Sequence, residues 1–278
     1  MRKMRRPATL FVIVTISLGL MAPAGSMGAE QDSLDYRLNK EFLKRFGLDV
    51  HEIIKAPASW QGQDFWRLTA ILGAGTLLYV FDENIDNWSQ ERRTPSSEDV
   101  AQLGSALGKG GHLAALMATL YVTGEIFGNR GLRKTALLSL ESWLTSGAVV
   151  LGMKAIAGRA RPYTDKGPYS FHPFTFRSDH YSFPSGHATS AFAVAAVISD
   201  QSDSLAIDIL AFSLSTFVAI SRLHERKHWA SDVFIGAAIG YFIGKKISGL
   251  HQEKDQKNIQ IGFCLSPRMK GLTVSFSF

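Results

Sequence analysis

Six stretches of this chain, roughly 66–81, 112–127, 135–157, 187–199, 204–221 and 229–247, are rich in Ala, Gly, Leu, Ile and Val and show no strand-like alternation. Alternation marks a strand with one buried face, so its absence over segments of this length predicts helices. Helices with broad apolar faces must bury them on each other, which points to an all-α fold, a bundle of about six core helices. The 278 residues suffice for one sizeable domain or two small ones.

Length leaves two arrangements for that bundle. A membrane span needs about 20 apolar residues; 187–199 is short, and 204–221 carries Asp208. The mean hydropathy of +0.03 is low for a chain built mostly of spans. If 66–81, which holds Arg67, stays out of the membrane, the turn "GNRGLRK" and the "GKK" at 244–246 both fall in the cytoplasm. That arrangement obeys the positive-inside rule. A non-spanning, exported bundle is the alternative.

The ends of the chain differ from its middle. Arg2, Lys3, Arg5 and Arg6 precede an apolar run from Thr9 to Leu20 and then the small-residue stretch "MAPAGSMGA". This order predicts a secretory signal peptide over 1–29, with an uncleaved anchor as the alternative. Its removal leaves 26 basic residues against 24 acidic, a net charge of +2, so charge gives no case for nucleic-acid binding. Residues 30–65 read as an amphipathic lead-in, 66–250 as the helical domain, and 82–110 and 163–183 as polar connections. In 251–278, "NIQIGFCL" and "GLTVSFSF" alternate around the turn residues of "SPRMKG", which predicts a C-terminal β-hairpin. The single Cys264 cannot form a disulfide within the chain, and no zinc-type Cys/His spacing occurs.

Three stretches carry polar groups that an apolar helical core would not select. "KAIAGRARP" ends the third segment with Lys154, Arg159, Arg161 and Pro162. "PSGH" spans Pro184 to His187 at the start of the fourth, where Ser185 could serve as a plain N-cap. "SRLHERKHWASD" holds Arg222, His228 and Asp232. Lys154, Arg161 and Arg222 offer cationic donors suited to phosphate oxygens. Ser185 adds a hydroxyl, Gly186 lets a bare backbone N–H approach closely, and the helix beginning there points its positive dipole at an anion. His228 and Asp232 stand four apart, a spacing that predicts one helix face and a carboxylate that orients the imidazole. Taken together, the three stretches form an anion cradle with two histidines beside it.

The order K-x6-RP, PSGH, SR-x5-H-x3-D resembles the signature of the type 2 phosphatidic acid phosphatase and vanadium haloperoxidase superfamily. Here it reads Lys154…Arg161-Pro162, Pro184-Ser185-Gly186-His187, and Ser221-Arg222…His228…Asp232, within about 112–247. The resemblance implies a helical domain with its active site at one end. It implies His228 as nucleophile forming a phosphohistidine, Asp232 orienting it, and His187 as proton donor to the leaving oxygen. Lys154, Arg161, Ser185, Gly186 and Arg222 would bind the phosphoryl oxygens, with no metal and no cofactor.

The implied substrate is a phosphorylated lipid (phosphatidic acid, phosphatidylglycerol phosphate, undecaprenyl pyrophosphate or a lipid A phosphate) or a small phosphate ester. The implied location is the periplasm, or the inner membrane with the site facing the periplasm. A vanadate-dependent haloperoxidase, a soluble periplasmic acid phosphatase and a binding protein with a retired site are the other readings. His224 reads as a rim residue, with a substrate contact as the alternative. His51, His112 and His251 lie outside the motifs and receive no role. His172 and His180 sit in a connection with seven aromatics, Tyr163, Tyr169, Phe171, Phe174, Phe176, Tyr181 and Phe183, which either pack it down or form an apolar rim.

Overall fold

The computed structural model describes residues 36–257, 260–266 and 269–275, with side chains over 36–252. The expected signal peptide therefore lies outside the described residues. Eight α-helices follow in order: α1 (Lys40–Lys55), α2 (Gly62–Glu91), α3 (Pro95–Leu107), α4 (Gly110–Ile126), α5 (Arg130–Ala157), α6 (Gly186–Asp200), α7 (Leu205–His224) and α8 (Ala230–Lys257). At the end of the chain, β1 (Gln260–Ser266) and β2 (Met269–Ser275) pair antiparallel, with Cys264 opposite Gly271.

Helix α6 is the centre of the bundle. Ala188, Ala191, Ala193, Val194, Ala195, Ala196 and Val197 are all buried, so almost every face of it meets another helix. The small side chains allow this, and α8 answers with Gly236, Gly240 and Gly244 at four-residue spacing. A Cβ at Gly236 would come 2.6 Å from the Ser185 carbonyl oxygen, and one at Gly244 2.6 Å from that of Ala193. Backbone therefore presses on backbone, and Thr189 Oγ1 donates to the Gly236 carbonyl at 2.9 Å. The same close approach lets the Ser185 N–H donate to the Asp232 carbonyl at 2.9 Å, which fixes the start of α6 against the start of α8.

The polar connection expected over 82–110 is instead mostly helical. Thr94 caps α3 by accepting from the Ser97 N–H at 3.2 Å, with Pro95 in the first turn. Helix α2 runs on to Glu91 because Asp82 and Asp86, four apart and both buried, face inward to cationic partners. A hydropathy reading places such carboxylates in solvent, because their partners are remote in sequence.

Among the described residues, three helices are long and apolar enough to cross a membrane: Arg130–Ala157, Leu205–His224 and Ala230–Gln252. Leu205, Ile209, Leu210, Leu214 and Ile220 form an exposed apolar face on α7. Large apolar side chains exposed in this number suit hydrocarbon better than water.

Candidate active site

The three polar stretches meet at one end of the bundle. Lys154, in the last turn of α5, is buried and donates from Nζ to the Tyr181 carbonyl at 2.6 Å. Gly158 then ends the helix in the left-handed region, with φ of 55°. The chain turns back through Arg161, whose N–H donates to the Asp179 carbonyl at 2.9 Å. Arg222, in the last turn of α7, is buried and donates to Ser105 Oγ and, at 2.8 Å, to Glu225 Oε2. Gly186 begins α6, and Lys154 Cε passes 3.9 Å from where its Cβ would stand.

Ser185 sits at the N-cap position, but its side chain makes no cap bond. Its Oγ is buried, as are Arg161 Nε and Arg222 Nε, and none of the three has a hydrogen-bond partner among the described residues. Buried donors without acceptors are costly and uncommon. These three belong to the residues expected to hold phosphoryl oxygens.

His228 is buried and its Nδ1 lies 2.6 Å from the Ser182 carbonyl oxygen. A carbonyl only accepts, so Nδ1 carries the proton and Nε2 keeps the lone pair. The expected one-face pairing with Asp232 does not form, because His228 precedes α8 and only Asp232 is helical. Asp232 turns back on the start of its own helix instead. It accepts from the Trp229 N–H at 3.0 Å, from Ser182 Oγ at 2.5 Å and from Arg159 Nη1 at 2.6 Å. Asp232 is thus linked to His228 through Ser182, whose hydroxyl donates to Asp232 and whose carbonyl accepts from the ring.

Sequence reading named Arg159 without giving it a role, and passed over Ser182. Arg159 is 1% exposed and bridges Asp232 and Asp82, donating to Asp82 Oδ2 at 2.8 Å. It also donates to Ser231 Oγ and the Pro168 carbonyl, and lies near the rings of Tyr79, Phe171 and Trp229. Asp82 and Asp86 lie in a polar run of the sequence, so their need for a buried cation shows only once the helices pack. His224, expected at the rim, lies 3.0 Å from Ser97 Oγ on a groove of about 460 Å³ between α3 and α7. The aromatic connection divides: Tyr169 and Phe171 pack on Tyr79, while Phe174 and Phe176 are 73% and 84% exposed.

Burial and the surrounding cations set the histidines' charge. Burial first, then the charges of Arg222, Arg161, Lys154 and Lys109, lower His187 to about 4. Burial and the charges of Lys154, Arg161 and Arg222 hold His228 well below its ordinary value, against a smaller opposing effect from the Ser182 carbonyl. In the folded chain both rings resist protonation, whereas in the unfolded chain they take it up near 6.5. The contribution to stability is therefore complete above about 6.5 and is lost as pH falls toward about 4. Thermal unfolding followed across that window is expected to show this loss, and His187→Gln to reduce its slope. An unchanged slope in that variant would remove His187 from the account.

The helical bundle thus gathers buried cationic side chains and two histidines at one end. Residues 135–255 match the PAP2 superfamily model. The chain is 36% identical over 138 residues to the lipid A 1-phosphatase of Porphyromonas gingivalis, covering 48% of this chain and 28% of that protein. It is 26% identical over 199 residues to the lipid A 1-phosphatase of Rhizobium etli, covering 66% of this chain and 82% of that one. The first of these relatives is thus matched over little more than a quarter of its length. The crystal structure of the first transmembrane PAP2 type phosphatidylglycerolphosphate phosphatase from Bacillus subtilis aligns with a TM-score of 0.48 at 22% identity, over 78% of this chain and 95% of that chain.

Proposed function

We propose that this chain is a phosphoric monoester hydrolase that removes phosphate from a phosphorylated lipid at the membrane. The observation that carries the reading is the set of three buried groups, Ser185 Oγ, Arg161 Nε and Arg222 Nε, without partners among the described residues, with both arginine charges acting on His187 and His228. With Lys154 and the free N–H groups of the first turn of α6, they hold the three non-bridging oxygens while charge builds in transfer. His228 Nε2 attacks phosphorus, and the bond to the lipid oxygen breaks. His187 delivers the proton that the leaving oxygen takes. A bound phosphoryl group supplies the negative charge that makes His187 protonation favourable, offsetting the cations that lower it. Water then attacks the phosphohistidine, giving its proton to His187 and releasing phosphate.

A lipid substrate fits the surroundings. The curated relatives are lipid A 1-phosphatases, so a lipid A type 1-phosphate stands first among the lipid phosphates considered. Exposed Phe174 and Phe176 lie in the connection at the cradle end. Arg130, Arg133 and Lys134 begin α5 at the opposite end, and Lys245 and Lys246 lie toward that end of α8. The positive-inside rule assigns that end to the cytoplasm and the cradle to the periplasmic face.

Orthovanadate is expected to inhibit turnover of p-nitrophenyl phosphate competitively, because it presents a phosphate-like set of oxygens to the same donors. Assayed on the folded fraction, turnover is expected to persist in EDTA. Loss of turnover in EDTA that Mg²⁺ restores, without any change in folding, would sink the reading. Phosphate release from lipid A, phosphatidic acid and phosphatidylglycerol phosphate, compared at matched detergent, identifies the lipid.

A further inference from the structure

At the end of the bundle away from the cradle, three helices direct ligand-type side chains to one point. Asp49 of α1, Glu141 of α5 and His251 of α8 offer atoms that all lie within 4.8 Å of one another. Each residue is 1% exposed. Asp49 Oδ2 lies 2.9 Å and Glu141 Oε2 3.8 Å from His251 Nε2. On the other side of the ring, Nδ1 lies 3.2 Å from the Tyr36 hydroxyl. Tyr36, Phe42, Leu137, Leu138 and Ile247 form the apolar cluster of this region.

We propose that Asp49, Glu141 and His251 bind one divalent transition-metal ion, Zn²⁺ or Mn²⁺, that ties α1 to α5 and α8. These two separations bracket the distance of about 3.3 Å between neighbouring ligands that a tetrahedral site with bonds of about 2.0–2.1 Å requires, and the third pair lies within 4.8 Å. A mixed imidazole and carboxylate set suits these ions, whereas Mg²⁺ and Ca²⁺ favour oxygen alone. Tyr36 completes the arrangement: when His251 Nδ1 donates its proton to the hydroxyl, the Nε2 lone pair faces the metal. Nineteen residues of α8 separate Asp232 from His251, about 28 Å along the axis. The ion therefore has no part in phosphoryl transfer, and the site does not depend on the cradle's activity.

The test uses the full chain in detergent, stripped with EDTA, desalted, and reloaded with Zn²⁺ alone or Mn²⁺ alone. After a second desalting, elemental analysis is expected to find one metal ion per chain, and thermal unfolding to shift upward on loading. Glu141→Gln, which nearly preserves shape, and His251→Gln are each expected to retain at least about tenfold less metal. Tyr36→Phe is expected to weaken Zn²⁺ affinity about 10–100-fold while still filling at high concentration. If His251→Gln fails to fold, Glu141→Gln and the ligand-field bands of the Co²⁺-loaded wild-type chain carry the decision. A chain that retains no metal, as a histidinium shared between two carboxylates would, overturns the proposal. So does equal retention in wild type and Glu141→Gln. The readout is metal content rather than turnover, so failure here and failure of the phosphatase reading are separate results.

Discussion

Replacing His228 by alanine is expected to lower turnover by a factor on the order of 10⁴ or more, and to leave no phosphate on the protein after acid quench. The argument rests on the ring's fixed tautomer. Ser182's carbonyl takes the Nδ1 proton at 2.6 Å, so the lone pair on Nε2 is available without prior deprotonation. Low proton affinity in the buried site keeps it available at neutral pH. His187→Ala should behave differently, because it removes the proton donor and leaves the attacking group in place. General acid help is worth on the order of 10²–10⁴-fold, and its value depends on how poor the leaving group is. p-Nitrophenolate departs without a proton, whereas a lipid alkoxide does not. His187→Ala is therefore expected to lose much more rate on an alkyl phosphate than on p-nitrophenyl phosphate, and acid quench of it should trap phosphohistidine. Equal losses on both substrates, or labelled phosphate on His228→Ala, would reverse the two roles. Asp232→Asn is expected to fall between these variants, since it weakens the grip on Ser182 that holds the ring.

The helices were legible because their signal is local. Each apolar segment carries its own periodicity, and α6 even its own start, so the bundle could be read without knowing which helix meets which. The gathering of Lys154, Arg161, Ser185, Gly186, Arg222 and the two histidines was legible through motif order alone, since spacing across separate helices has no meaning until they pack. What stayed hidden was the support beneath the cradle. Asp82 lies 77 residues from Arg159, and the bond between them exists only because α2 packs against α8. Asp82 and Asp86 read as surface carboxylates by composition, and a connection by composition is what 82–110 became. The Asp232 misreading has a similar root. Four-residue spacing implies one helix face only when both residues are helical, and the boundary fell between His228 and Asp232. The stretch "HWASD" held a warning, because an acid three residues after the last non-helical position often reaches back to cap the helix.

Arg159→Ala is expected to be the most destabilising single change among the residues that support the cradle, at about 3–5 kcal/mol. Arg159 stands between two carboxylates that are fully buried, Asp82 and Asp232, with 2.8 and 2.6 Å contacts. Removing it leaves both charges in a dry interior with their shared cation gone, and a buried ion stripped of its partner costs far more than the pair ever contributed. Asp82→Asn should cost less, because Arg159 then keeps one carboxylate and the amide still offers an oxygen to the Ser231 N–H, which Asp82 now accepts at 2.9 Å. The double variant Arg159→Met with Asp82→Asn removes one charge of each sign, leaving only Asp232 to be held by Ser182 and Trp229. It should therefore be more stable than Arg159→Met alone, a coupling that additive losses cannot produce. Chemical unfolding of the four chains in one detergent measures it. Should the double variant lose as much as the two single losses summed, the network is three independent contacts, and the support under His228 must come from Ser182 and the start of α8 alone.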